Sequence, residues 1–179
     1  MPSNKDRLYI VLYARGGTAT MPGGEDEYHW GLLVGPKTEV ENGKGIRFHA
    51  KERMLAAGQS EWYFEERDVG LLATSMQLVR IMIGKIEKMD RLVSILRRVP
   101  IRQGQRGWNC VSWVKEALES LNADGKALGT SVTAWQAVRD GAMWYIQKKK
   151  AEHRFDGRGN FDMRFAATYD LLGGKETVP

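Results

Sequence analysis

Short apolar runs alternate with turn-forming segments through the first half of the chain, a pattern typical of β-strands. The runs are rich in β-branched and aromatic residues, and Val79, Ile81 and Ile83 recur at every second position. Pairs such as Gly16-Gly17 and Gly35-Pro36 interrupt the runs as turns do. The predicted strands are residues 8–13, 29–34, 46–50, 62–66 and 78–86.

In the second half, apolar residues recur at intervals of three and four positions, which predicts helices. Asp90 is the expected start of the first helix. Asn109 is the expected N-cap of the second, whose apolar stripe begins at Cys110 and which Gly125 ends. Ser131 is expected to open a third helix.

Strands that precede helices along the chain predict an α+β fold, in which an antiparallel sheet packs against helices. The length of 179 residues fits one domain over residues 1–179. The last segment, residues 173–179 (GGKETVP), is glycine-rich and polar, so we expect it to be a flexible tail.

The cysteine content and the lengths of the apolar runs indicate the cellular compartment in which the protein is expected. One cysteine in the whole chain excludes an internal disulfide and favours a reducing environment. The apolar run near the N-terminus is too short for a signal peptide, and no stretch approaches the roughly 18 apolar residues of a membrane span. We therefore expect a cytoplasmic protein without a membrane span.

Cys110 occupies the first turn of the second predicted helix. The positive end of the helix dipole there favours a thiolate and a pKa below the usual value of ~8.5. Backbone N–H groups of the preceding glycine-containing loop would be suitable donors for an oxyanion hole. A small buried core residue is the alternative, and position alone leaves both open.

A nucleophilic thiol also needs a base and a group that orients the base. His29 and His49 lie on consecutive predicted strands, where side chains can face each other across a hairpin. A pair of half-buried, hydrogen-bonded histidines without catalytic use is the alternative. His153 follows a run of lysines and is expected to be exposed and dispensable. No carboxylate stands at metal-ligand spacing, so neither a metal nor a cofactor is expected.

Three segments together resemble the permuted papain-like fold, most closely the lecithin retinol acyltransferase family with its small phospholipase and acyltransferase relatives. They are YHWGLLVG (28–35), IRFHA (46–50) and WNCVSWV (108–114), within a resemblance that covers roughly residues 28–121. The chain also resembles small uncharacterised fungal proteins that begin with such a strand and a His-Trp pair, a likeness that implies no activity.

The resemblance implies that His29 is the general base, His49 the orienting group and Cys110 the nucleophile. The chain departs from that family after the Asn-Cys pair, where Val111-Ser112 replaces the usual Glu-His. It also lacks the hydrophobic C-terminal anchor of the members that act on lipids. These departures concern the substrate rather than the thiol chemistry.

These observations predict a thiol enzyme, either a hydrolase or a transferase. Cys110 would attack an ester, thioester or amide carbonyl, and the acyl group would then pass to water or to an amine acceptor. A catalytically dead binding module on the same scaffold is the alternative. In that case Cys110 would react with iodoacetamide no faster than a model thiol.

The net charge of +5 is concentrated just upstream of Cys110 in a cluster of arginines. These could bind the phosphates of coenzyme A or aminoacyl-tRNA, which would make the protein an amide-forming acyltransferase of the cyclodipeptide-synthase type. An acidic loop before His29 could receive a cationic acceptor, although solvated surface charge is the alternative for both groups. The arginine cluster comprises Arg91, Arg97, Arg98, Arg102 and Arg106, and the acidic loop comprises Glu25, Asp26 and Glu27.

Overall fold

The computed structural model describes residues 5–38, 40–74 and 76–179. The start of the chain that was considered above for a signal peptide includes residues 1–4, which lie outside this part. No helix in the described ranges is long and apolar enough to cross a membrane.

Each of the five predicted strands is present, and each is somewhat longer than its apolar run. They are β1 (Arg7–Ala14), β2 (Tyr28–Gly35), β3 (Lys44–Met54), β4 (Ser60–Gly70) and β5 (Gln77–Ile86). Three shorter strands follow: β6 (Leu128–Ser131), β7 (Ala167–Asp170) and β8 (Lys175–Val178). The helices are α1 (Met89–Arg98), α2 (Cys110–Asp124) and α3 (Trp135–Ala151).

The strands form one sheet in the order β4-β3-β2-β1-β5-β7-β8, and β6 also pairs with β5. Every pairing is antiparallel except that between β5 and β7. The predicted α+β class with a mainly antiparallel sheet is therefore confirmed.

Strand β1 shows how the two faces of the sheet differ. Leu8, Ile10 and Leu12 belong to the large core shared with the helices, whereas Tyr9 and Val11 belong to a smaller cluster on the opposite face. Side chains of a strand alternate between the two faces of the sheet. A residue of a neighbouring strand that is paired with a β1 residue therefore points to the same face as its partner. The helices cover one face, and the other face remains partly open.

Two helix starts differ from the predictions. The N-cap of α1 is Lys88, and Asp90 lies in the first turn, where its carboxylate faces the positive end of the helix dipole. The third helix begins at Trp135 rather than Ser131, because Ser131 is the last residue of β6 and pairs with Gly84. Tertiary pairing thus outweighs the local helix-start signal there.

The prediction of a flexible tail at residues 173–179 is wrong, since β8 pairs with β7 in this segment. Glu176 Oε2 accepts hydrogen bonds from Lys149 Nζ at 2.7 Å and from the Tyr145 hydroxyl at 2.6 Å. Lys149 is 0% exposed. A buried ammonium requires a counter-charge, and the C-terminal strand supplies one.

We expect Glu176→Ala to lower the free energy of unfolding by about 2–3 kcal/mol, because it removes one of the two carboxylates that neutralise buried Lys149. Urea denaturation measures the change. Lys175→Ala, on the same strand with an exposed side chain, is the matched control and should change stability by less than ~0.5 kcal/mol. Equal effects of the two substitutions would contradict a specific role for the carboxylate.

Candidate functional site

The predicted histidines lie on the sheet face that points away from the helices. Trp30 of β2 and Phe48 of β3 pack into the core beneath the helices. Because side chains alternate along a strand, His29 and His49 turn to the opposite face. Strand alternation alone therefore brings both rings to the same surface.

The two rings are in contact, and the contact extends to a third residue. His29 Nε2 lies 2.7 Å from His49 Nδ1, which confirms the predicted pairing. His49 Nε2 in turn lies 2.8 Å from Glu65 Oε1. Glu65 is directly opposite His49 in the β3–β4 register. The result is a linear relay of His29, His49 and Glu65.

The relay determines which ring nitrogens carry protons. An ionised carboxylate only accepts hydrogen bonds, so Nε2 of His49 donates to Glu65. A neutral His49 then has its lone pair on Nδ1, which must accept from Nε2–H of His29. Nδ1 of His29 is consequently the basic nitrogen, and no group in the described part of the chain donates a hydrogen bond to it. This is the tautomer that a general base requires.

The protonation states follow from burial and charge. Burial, reinforced by neighbouring cations, lowers the pKa of His29 to about 3. Burial also lowers the pKa of His49 to about 4, although the Glu65 carboxylate acts in the opposite direction. Burial raises the pKa of Glu65, but the hydrogen bond from His49 and nearby cations outweigh it and lower the pKa to about 2. Near neutral pH the relay is thus an anion joined to two neutral rings.

We expect the ring signals of His29 and His49 to show no titration between pH 8 and pH 5.5 in an NMR experiment. In the unfolded chain histidine takes up its proton near pH 6.5. Because both folded-state pKa values are lower, stability should fall as the pH drops from about 6.5 toward about 4. At pH 5 the loss should be roughly 1–2 kcal/mol for each histidine. A ring that titrates above pH 5.5 would contradict the relay as described.

Cys110 is the first residue of α2, as predicted, and its cap is complete. The Asn109 side chain accepts hydrogen bonds from the backbone N–H groups of Val111 at 2.9 Å and Ser112 at 3.3 Å. The Ser112 hydroxyl accepts from Asn109 N–H at 3.2 Å, so the two residues form a capping box. Ser112, which departs from the resembled family, therefore serves to start this helix.

The thiol of Cys110 is fully buried, at 0% exposure. The backbone amides of Trp30, Val111 and Cys110 act on the thiol in the direction of a lower pKa. Burial nevertheless raises the pKa of the thiol, because these donors and the nearby Arg15 only partly compensate for the loss of water. The expectation of a lowered pKa from the helix N-terminus is therefore wrong.

Cys110 and His29 approach the same point of β2 from different faces. The backbone amide of Trp30, the residue that follows His29 on β2, is near enough to Cys110 to lower the pKa of its thiol. Pairing of β2 with β3 covers residues 32–34 of β2, so His29 and Trp30 lie beyond the paired part of these two strands. Within the described residues no hydrogen bond joins the sulfur to the His29 ring.

A cavity of about 450 Å³ opens beside His29 and His49 of the relay. Its walls combine basic, aromatic and histidine side chains. The lining includes Tyr13, Arg15, His29, Arg47, His49, Lys51, Glu52 and Trp62. Trp62 connects this wall to the loop before Cys110, because its ring contacts Trp108 edge-on at a centroid distance of 5.6 Å.

The predicted arginine cluster does not line this cavity. Arg97 pairs with Glu66 at 2.7 Å, and Arg102 pairs with Glu116 at 2.7 Å. Arg98 bonds to a backbone carbonyl of its own helix, and Arg106 lies beside Trp108 at a separate depression on the far side of the loop. The cluster is largely engaged in surface ion pairs.

The acidic loop is likewise used within the chain rather than presented to a ligand. Glu25 pairs with Arg139 at 2.7 Å, and Glu27 pairs with Lys150 at 3.0 Å. Asp26 is buried and accepts hydrogen bonds from Thr20, including one from its hydroxyl at 2.6 Å. These contacts hold the segment between β1 and β2 against α3, and none of the three carboxylates lines the cavity.

Sequence reasoning missed Glu65 and the basic residues of the cavity. Glu65 follows the aromatic run of residues 62–64 in a predicted strand, and no pattern in the sequence distinguishes it from the other acidic residues. Arg15 follows the predicted first strand, and Lys51 follows the predicted third. Nothing in the linear pattern connects either residue with His29.

The family of unknown function DUF6914 matches residues 5–178. The chain belongs to this family. No curated protein and no solved structure matches it. The matched region of DUF6914 contains the relay, Cys110 and the cavity, so the entire candidate site lies within it.

Proposed function

We propose that this protein is a thiol enzyme of the permuted papain-like type, which transfers or hydrolyses an acyl group through an acyl-enzyme on Cys110. The observation that carries the proposal is the relay. It gives His29 a basic Nδ1, and the backbone amide of the next residue, Trp30, is near enough to Cys110 to favour its thiolate. Nucleophile, base and orienting group are the parts that covalent acyl chemistry requires.

The reaction begins with a neutral thiol and a neutral imidazole, since the Cys110 pKa is raised and the His29 pKa is lowered. Proton transfer therefore accompanies nucleophilic attack. As the Cys110 sulfur bonds to the carbonyl carbon, its proton passes to Nδ1 of His29. The positive charge that develops on the ring is stabilised through His49 by the Glu65 carboxylate.

The attack converts the carbonyl oxygen into an oxyanion, for which the start of α2 supplies donors. Backbone N–H groups at a helix N-terminus favour negative charge, and those of Cys110 and Val111 act to lower the pKa of the thiol. When the oxyanion collapses, the bond to the leaving group breaks, and the leaving group takes the proton from His29. Water or an amine then attacks the thioester, again with His29 as base, and the free thiol returns.

Two further points concern the cellular location of the protein and the alternative activity predicted from the arginine cluster. The single cysteine supports a cytoplasmic location. An amide-forming enzyme that binds coenzyme A or tRNA through the arginine cluster is not favoured, because Arg97 and Arg102 are paired with carboxylates away from the cavity. A binding module without activity is the remaining rival.

Mass spectrometry of the intact protein after incubation with p-nitrophenyl acetate and a set of thioesters tests the proposal. We expect an acyl adduct on the wild-type protein and none on Cys110→Ser within the same time. The rate of reaction with iodoacetamide, compared with that of a model thiol, provides a second readout. A Cys110 that forms no adduct and reacts more slowly than the model thiol would support the inactive binding module.

A further inference from the structure

We propose that the cavity beside His29 binds the anionic group of the substrate, a carboxylate or a phosphate, through Arg15 and Lys51. That the bound anion is part of a substrate rests on the function proposed above, whereas the binding of an anion to this cavity does not. The proposal names a chemical class for the acyl donor, which the sequence left open.

The charges on the cavity wall are unbalanced. Arg15, Arg47 and Lys51 line the cavity, and Glu52 is the one carboxylate among its lining residues in the described part of the chain. Its Oε1 accepts a hydrogen bond from the Ser60 hydroxyl at 2.6 Å. The cations therefore outnumber the carboxylates on the surface that a ligand would meet.

The carboxylate of Glu65, which does not line the cavity, does not neutralise these cations. Glu65 lies 3.3 Å from Arg47 Nη2 and 3.6 Å from Lys51 Nζ, while it also accepts the hydrogen bond from His49. One negative charge is thus shared by two cations and a histidine. Arg15 donates to the backbone carbonyl of Asp26 at 3.2 Å, and no carboxylate pairs with it among the described residues.

Arg15 and Lys51 line the same cavity as His29 and His49. The guanidinium of Arg15 is close enough to act electrostatically on both the Cys110 thiol and the His29 ring. Lys51 acts in the same way on His29 and His49. An anion bound by the two cations would therefore lie beside the His29 ring in the cavity.

The size and walls of the cavity favour a small molecule. A volume of about 450 Å³ is within the usual range of ~300–1,000 Å³ for small-molecule sites. Tyr13 and Trp62 contribute aromatic surface for the apolar part of the donor. A guanidinium and an ammonium together match the oxygens of a carboxylate or a phosphate.

Titration of the Cys110→Ser protein with sodium phosphate and, separately, sodium acetate tests this inference at constant ionic strength. The serine variant removes the thiol chemistry, so the result is independent of acylation. We expect amide ¹H–¹⁵N shifts that saturate at Arg15, His29 and Lys51. A stronger response to phosphate or to acetate identifies which anionic group the site prefers.

Matched variants decide whether the cavity is responsible. Arg15→Ala with Lys51→Ala should weaken the titration at least ~10-fold, whereas Arg98→Ala with Arg106→Ala removes the same charge from the remote cluster and should leave it unchanged. Thermal melting checks the fold, and the single Arg15→Ala variant replaces the double variant if that one is unfolded. Absence of saturable shifts, or equal losses in both variants, would overturn the inference.

The two proposals fail separately. Anion binding without an acyl adduct on Cys110 would overturn the enzymatic function and leave the anion site in place. An acyl adduct that forms with equal rates from neutral and anionic esters, together with no anion titration, would overturn the anion site alone.

Discussion

Replacing His29 with alanine should slow acylation of Cys110 by p-nitrophenyl acetate by ~100-fold or more. The substitution removes the nitrogen that accepts the thiol proton, and the raised pKa of Cys110 leaves little thiolate to react without a base. Release of p-nitrophenol measures the rate, and intact mass confirms that Cys110 carries the acetyl group. His153→Ala, whose ring pairs with Asp156 away from the cavity, is the matched control and should retain the wild-type rate.

The positioning residues should show smaller and distinguishable effects. His49→Asn retains a hydrogen-bonding group beside His29 and should slow acylation less than His29→Ala. Glu65→Gln keeps the shape of the side chain but removes the charge that stabilises protonated His29. We therefore expect both the maximal rate of acylation and the pH dependence of that rate to change. Equal rates for His29→Ala and wild type would remove His29 from the mechanism, whatever the other variants do.

The largest effect on stability should come from Trp113→Ala, with a loss of about 3–5 kcal/mol in the free energy of unfolding. Trp113 is 0% exposed and packs between α2 and the sheet, where its ring lies 5.8 Å from that of Phe64. Removal of such a ring leaves a cavity that the rigid sheet cannot fill. Urea denaturation with an unchanged m-value measures the loss.

Trp144→Ala provides the comparison for Trp113→Ala, because it removes the same atoms from a half-exposed position. Trp144 is 50% exposed, and its ring contacts Tyr169 at a centroid distance of 5.2 Å. Its loss should cost less than half as much as that of Trp113. Similar costs would mean that burial beneath α2 does not dominate the stability of this fold.

The elements of the fold were predictable where one local signal dominated. The period-two pattern of β5 and the run of strand-forming residues in β1 identify strands, and the Asn109 cap and the Gly125 stop bound α2 as predicted. The C-terminal segment was not predictable in this way. Its polar sequence carries no strand signal, and it becomes β8 because Glu176 meets buried Lys149.

Within the candidate site, the sequence could predict those residues whose type is rare in this chain. Three histidines and one cysteine are few enough to compare, and two of the histidines lie on neighbouring strands. Glu65 is one of 22 acidic residues, so nothing in its composition singled it out. Ligand binding by the clustered arginines and acidic residues was predicted from their closeness along the chain. That closeness does not show which of them form ion pairs in the folded protein.

The amino-acid sequence by itself determined the α+β class, the five N-terminal strands, the α2 cap and the placement of Cys110 at its first turn. These features depend on periodicity and capping, which act within a few neighbouring residues. Only the tertiary structure decided that Glu65 completes the relay, that burial raises the pKa of Cys110, and that Arg15 and Lys51 share a cavity with His29. Each of these depends on strand register and on the exclusion of water, which arise when distant segments pack together.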